Sequence, residues 1–356
     1  MSNQRSGDLV YRYPGGRIHV AWLIVGTYFL AQGIMYLDSV MIEGLRLVLN
    51  ATGDINPETG DLSPFAEWLD TAVIPLTTQI LMEVSLIIAS LLIWRHLLKR
   101  PVAEIGLTAF PKGGKEFLIG LAAGCICCTL VFAILMASGL VSLESWTPRF
   151  YPRQFWWLLA YIGVGFAEEI YFRGFCMAVL RPTKNKLLVI SISSLIFSLV
   201  HMFNPNITFL ALANIFLIGI VLAYMYFLSG NLWMAVGFHI TWNTFQGLVY
   251  GSNVSGTESN GVFTMAFAEK GVLFSGGNAG MEGGIVTTFV SLLLFCFVLL
   301  YYRKTTYSFF SMKRWRERRI RSMKNHRDLD MRRLANIRHV TAIRYGSRSI
   351  EESVQS

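Results

Sequence analysis

Apolar residues in this chain fall in runs of about twenty, the length a helix needs to cross roughly 30 Å of hydrocarbon. Eight such runs stand out, at about 18–37, 72–94, 117–141, 155–179, 187–203, 206–228, 231–250 and 284–302. The pattern predicts an all-α, polytopic integral membrane protein of about eight transmembrane helices. The first run lacks the small-residue cleavage site of a signal peptide and reads as a retained span. Only Asn204-Pro205 and Ser229-Gly230 join the fifth, sixth and seventh runs, which makes them antiparallel neighbours. The Gly/Ser/Asn-rich stretch 251–283 is too polar to span and reads as an external loop.

Composition supports this reading. Of 356 residues, 53% are hydrophobic and 15% charged, too few charges to coat a water-soluble surface. An ordinary soluble domain, a disordered chain and a disulfide-stapled secreted domain are all excluded. The five cysteines lie inside apolar runs without zinc-site spacing, where a thiol behaves as a small apolar side chain. The net charge of +9 is local: residues 303–356 carry 15 Lys/Arg against 5 Asp/Glu, which leaves the rest at −1. Apolar residues interleave with these arginines, so the tail reads as a segment lying on anionic lipid rather than a nucleic-acid arm. Lys and Arg also crowd the N-terminal segment and the second-to-third and fourth-to-fifth connections. Segment 38–71, by contrast, holds Arg46 alone against seven acids. The bias puts both termini in the cytoplasm.

Polar side chains inside spans carry the chemistry, because a charge at mid-bilayer costs roughly 2.5–3.5 kcal/mol without a partner. The fourth run contains Glu168, Glu169 and Arg173. Glu169 and Arg173, four apart, share a helix face and form an ion pair. Glu168 is rotated about 100° away and stays free for acid–base work. His201 ends the fifth run. His239 and Asn243, four apart on the seventh, could both donate to a developing oxyanion. The structural alternative for each histidine is a hydrogen-bonded packing residue. Glu83, on the second run, is a further buried acid for which packing and function weigh equally. Glu168, His201 and His239 could also make a His₂Glu zinc site. A metal-free glutamate mechanism is favoured, since no HExxH pairs two ligands on one turn.

The ordered set EExxxR (Glu168, Glu169, Arg173), FxxxH (Phe197, His201) and HxxxN (His239, Asn243) resembles the CPBP family. That family comprises the type II CAAX prenyl endopeptidases and their bacterial relatives, sometimes called the Abi family. Gln246-Gly247 and Val254-Ser255-Gly256 also look like bacterial members. The resemblance divides the chain into N-terminal spans at 1–116, a CPBP-like catalytic core at 117–250, an external loop and last span at 251–302, and the basic tail. It implies an intramembrane endopeptidase with a polar cavity inside the bilayer of a bacterial inner membrane, acting on a peptide or membrane-anchored protein. By similarity, Glu168 and His201 activate a water, His239 and Asn243 hold the oxyanion, and Glu169 and Arg173 shape the site. Specificity for a prenylated CAAX protein does not follow from the family name. The alternative from another class is a proton-coupled transporter or a scaffold, since buried Glu, Arg and His also mark proton paths.

Overall fold

The computed structural model describes residues 9–13, 16–56, 59–146, 152–259 and 261–311. Met1–Ser308 form one compact unit. A second unit begins at Phe309, and beyond Ser311 the basic tail lies outside the described residues.

Among the described residues, eight helices match the eight apolar runs. They are α1 (Val20–Thr52), α2 (Ile74–Leu92), α3 (Phe110–Ala137), α4 (Pro152–Glu168), α5 (Lys186–Val200), α6 (Phe209–Ser229), α7 (Trp233–Asn243) and α8 (Ile285–Tyr301). Five helical stretches are long and apolar enough to cross a membrane by themselves: Val20–Thr52, Ile74–Leu97, Val102–Ala137, Lys186–Phe203 and Phe209–Ser229. Two others are extended by π-helical turns, α4 through Glu169–Cys176 and α7 through Thr244–Val249. The chain is an integral membrane protein built from helices.

Helix ends follow local chemistry. The side chains of Asn185 and Thr208 accept from the backbone N–H groups of Leu188 and Ala211, which starts α5 and α6. Gly230, with φ +75°, closes α6 in the left-handed conformation that glycine adopts without strain.

Two expectations are corrected. Segment 38–71 is not a loop from its first acid, because α1 continues to Thr52. Asp38 is buried and accepts a hydrogen bond from Thr78 Oγ1 at 3.0 Å, so this acid braces α1 against α2. No proline interrupts α1, and Gly53 caps it at φ +80°. Stretch 251–283 is also not merely loop. Its strand Phe263–Phe267 pairs antiparallel with the distant strand Val141–Trp146, and a separate two-stranded pair joins Val10–Tyr13 to Gly16–His19. Pairing satisfies backbone groups that the short connections would otherwise leave open.

The core lies between α3, α6, α7 and α8, where Cys128, Leu135, Met225, Phe238 and Leu294 are buried together. The closest approach is α3 on α7. A Cβ at Gly120 would collide with the Met234 carbonyl, and one at Gly237 with the Phe117 carbonyl. Without a hydrophobic drive between helices in lipid, backbone contact at small residues supplies dispersion energy that side chains would block. Gly120→Val should therefore destabilise by about 1–3 kcal/mol or more, because backbone cannot yield as a flexible side chain does. Gly33→Ala, where a Cβ meets nothing within 4 Å, is the neutral control. Thermal unfolding in detergent measures both.

Candidate active site

Glu169 is fully buried and sits at the first residue of the π-helical stretch that follows α4. Arg173, one turn on and also fully buried, donates from Nη1 to Glu169 Oε1 at 2.8 Å. His239 Nδ1 reaches the same oxygen at 2.9 Å from α7. An ionised carboxylate only accepts, so Nδ1 carries the proton, and the ring is oriented with Nε2 outward. That Nε2 lies 3.5 Å from Glu168 Oε2, an electrostatic contact too long for a good hydrogen bond. Glu168 Oε2 is buried with no hydrogen-bond partner among the described residues. The two adjacent glutamates thus differ: Glu169 accepts a hydrogen bond from the Arg173 guanidinium, whereas Glu168 has only the 3.5 Å contact with His239.

Phe197 ties the three motifs together. The Arg173 guanidinium stacks over its ring at 4.1 Å from the centroid, a cation–π contact. The same ring meets His201 edge-on at 5.0 Å and His239 at 6.2 Å. His201 Nδ1 lies 2.7 Å from the Phe197 carbonyl, which can only accept. The proton is therefore on Nδ1, and in the neutral ring Nε2 keeps a free lone pair.

Glu168, His201, His239 and Asn243 all line one cavity of ≈ 250 Å³, so four of the six expected site residues converge there. Glu169 and Arg173 stand behind its wall. That volume holds several waters, each with a share of about 30 Å³ in the liquid. Of the remaining lining, sequence reasoning singled out Glu83 on α2 and Ser255. It did not single out Tyr28 and Gln32 from α1, Gln79 from α2, Asn214 from α6 or Glu282 from the 251–283 segment. Glu282 fastens that segment over the cavity: its carboxylate accepts from Trp242 Nε1 at 3.0 Å and from the Ser255 backbone N–H at 2.7 Å. Asn214 Nδ2 donates to the carbonyl of Glu282 at 2.7 Å. These bonds join residues up to 68 apart in sequence and leave no local spacing signal; the only hint is an acid in an otherwise apolar Gly-rich stretch.

Among the described residues, no group of three His, Cys, Asp or Glu side chains is gathered as a metal site. Both histidine Nδ1 atoms face protein oxygens, which leaves Nε2 as the ring nitrogen open to a water, a substrate or a metal ion.

The buried ion pair yields a stability prediction. Glu169→Gln strands the Arg173 guanidinium, whose Nε and Nη2 already lack hydrogen-bond partners. It should cost about 3–5 kcal/mol, and adding Arg173→Met should return much of the loss. A double-mutant cycle on thermal stability reads the coupling.

No curated protein matches the chain. Residues 151–245 match the family described as type II CAAX prenyl endopeptidase Rce1-like. The matched segment holds Glu168, Glu169, Arg173, Phe197, His201, His239 and Asn243 together, and is shorter than the 117–250 over which the motifs suggested resemblance. Over this segment the chain is similar to the type II CAAX prenyl endopeptidases, the group that its three ordered motifs resemble.

Proposed function

We propose that the protein hydrolyses a peptide bond inside the cavity by a metal-free glutamate mechanism. The observation that carries this reading is the free Glu168 carboxylate facing His239 Nε2 in a cavity also lined by His201 and Asn243. A water donating one hydrogen to Glu168 and the other to the bare Nε2 of His201 has its lone pair free for attack. As its oxygen bonds to the scissile carbonyl carbon, Glu168 takes the proton. The carbonyl π electrons move onto oxygen, and Asn243 Nδ2 with His239 Nε2 donate to that oxyanion. For His239 to do so while Nδ1 serves Glu169, its ring must carry both protons. Glu169 on one nitrogen and Glu168 near the other favour that imidazolium electrostatically. The C–N bond then breaks, and Glu168 returns its proton to the leaving amine.

The substrate class is a peptide or membrane-anchored protein segment, and the setting is a bacterial inner membrane with both termini cytoplasmic, as the Lys/Arg distribution suggests. The basic tail would contact anionic lipid. Truncation after Tyr307 should leave detergent activity unchanged, and a loss would show that the tail supports the site directly.

Two measurements test the mechanism. Glu168→Gln should lower kcat by about 10²–10⁴ with unfolding temperature retained, and Asn243→Ala by about 10²–10³. Near-normal turnover of Glu168→Gln contradicts the reading. Chelator treatment should leave activity intact; one zinc per chain, with activity lost on chelation and restored by zinc, would turn the same residues into ligands.

A further inference from the structure

The cavity extends beyond the reacting groups, and its remaining half comes from helices outside the matched segment. α1 supplies Tyr28, Gln32 and Met35, and α2 supplies Gln79 and Glu83. Glu83 is 2% exposed and opens onto the cavity. Its Oε1 accepts from Gln79 Nε2 at 2.6 Å, while Oε2 has no hydrogen-bond partner among the described residues. Four glutamates line the cavity (Glu83, Glu168, Glu258 and Glu282), and no Lys or Arg does. Glu282 is saturated by Trp242 and Ser255, Glu258 is exposed, and Glu168 belongs to the reaction. Glu83 is therefore a buried carboxylate with a free oxygen, no cation beside it in the cavity, and a wall that concentrates negative potential. An uncompensated charge there is costly, so a cation that enters the cavity is drawn to this open oxygen.

Glu83 packs against α4: its Cβ and Cγ lie 3.6 Å from where a Gly163 side chain would begin, an ordinary contact distance. The same helix ends in Glu168, so a substrate side chain that meets Glu83 belongs to the segment being cut.

We infer that Glu83, oriented by Gln79, receives a Lys or Arg side chain of the substrate near the scissile bond, making cationic peptides the preferred substrate class. The assignment rests on the peptidase reading above, and it makes Glu83 a specificity residue rather than a catalytic one. Gln79 holds one carboxylate oxygen in place, and the ligand cation completes the shell of the other.

The experiment uses the full chain in lipid nanodiscs with a peptide library cut by a Glu-specific protease, so that Lys and Arg remain internal. New termini are read by mass spectrometry. Lys and Arg should be enriched at one position near the cleaved bond, and Glu83→Gln should cut that enrichment at least fivefold relative to sequences lacking a base there. Cleavage without basic enrichment, or enrichment unchanged in Glu83→Gln, overturns the inference and leaves the peptidase reading standing. Absence of any cleavage by the wild-type protein overturns the peptidase reading instead. Glu83 is then read by binding: Glu168→Gln protein is titrated with a fluorescent Lys-containing hexapeptide and with its norleucine analogue. At least tenfold tighter binding of the Lys peptide, lost in the Glu83→Gln double variant, supports the site. Equal binding of the two peptides overturns it, and that comparison needs no Glu83 variant to fold.

Discussion

Glu169 Oε1 receives both the Arg173 guanidinium at 2.8 Å and the His239 imidazole at 2.9 Å, at a fully buried position. A charge in a membrane interior must be neutralised by protein, and the geometry of that neutralisation constrains everything around it. One carboxylate fixes the α4 extension to α7, holds a proton on His239 Nδ1 and turns Nε2 toward Glu168. Phe197 lies under the guanidinium and against both histidines, which brings α5 into the same cluster. The widened π-helical turns beginning at Glu169 and at Thr244 directly follow Glu168 and Asn243, where irregular helix is common at functional sites.

The division of labour between two adjacent carboxylates follows from helix geometry. Consecutive side chains diverge by about 100°, so a partner that satisfies one cannot satisfy the other. Glu169 is locked and structural; Glu168 keeps an oxygen without a hydrogen bond in a space large enough for water. The same logic applies to the cavity's far half. Glu83 has one oxygen held by Gln79 and one open, so two carboxylates, each with an open oxygen, line the same cavity.

The local parts of this arrangement were legible in the sequence. The Glu169–Arg173 pair follows from i,i+4 spacing, and the eight apolar runs each contain a helix because hydrocarbon thickness dictates their length. The convergence of His201, His239 and Asn243 on Glu168 came from motif order, whereas the His239–Glu169 bond joins residues 70 apart and has no local signature. The end of α1 was misread at Asp38, since an acid was taken as a span boundary when its partner Thr78 lies on another helix. The clamp of Glu282 on Trp242 and Ser255 was missed for a related reason: a Gly-rich polar stretch gives no periodicity, and its order comes from tertiary hydrogen bonds.

The central claim is that Glu168 directs a water onto the peptide carbonyl and does not itself attack it. A single turnover of a cleavable peptide in ¹⁸O-water, with enzyme in excess, separates these routes because the first oxygen delivered carries the record. Water attack predicts one ¹⁸O in the new C-terminal carboxyl group and none on Glu168. Label on the Glu168 side chain, with an unlabelled product, would contradict the account.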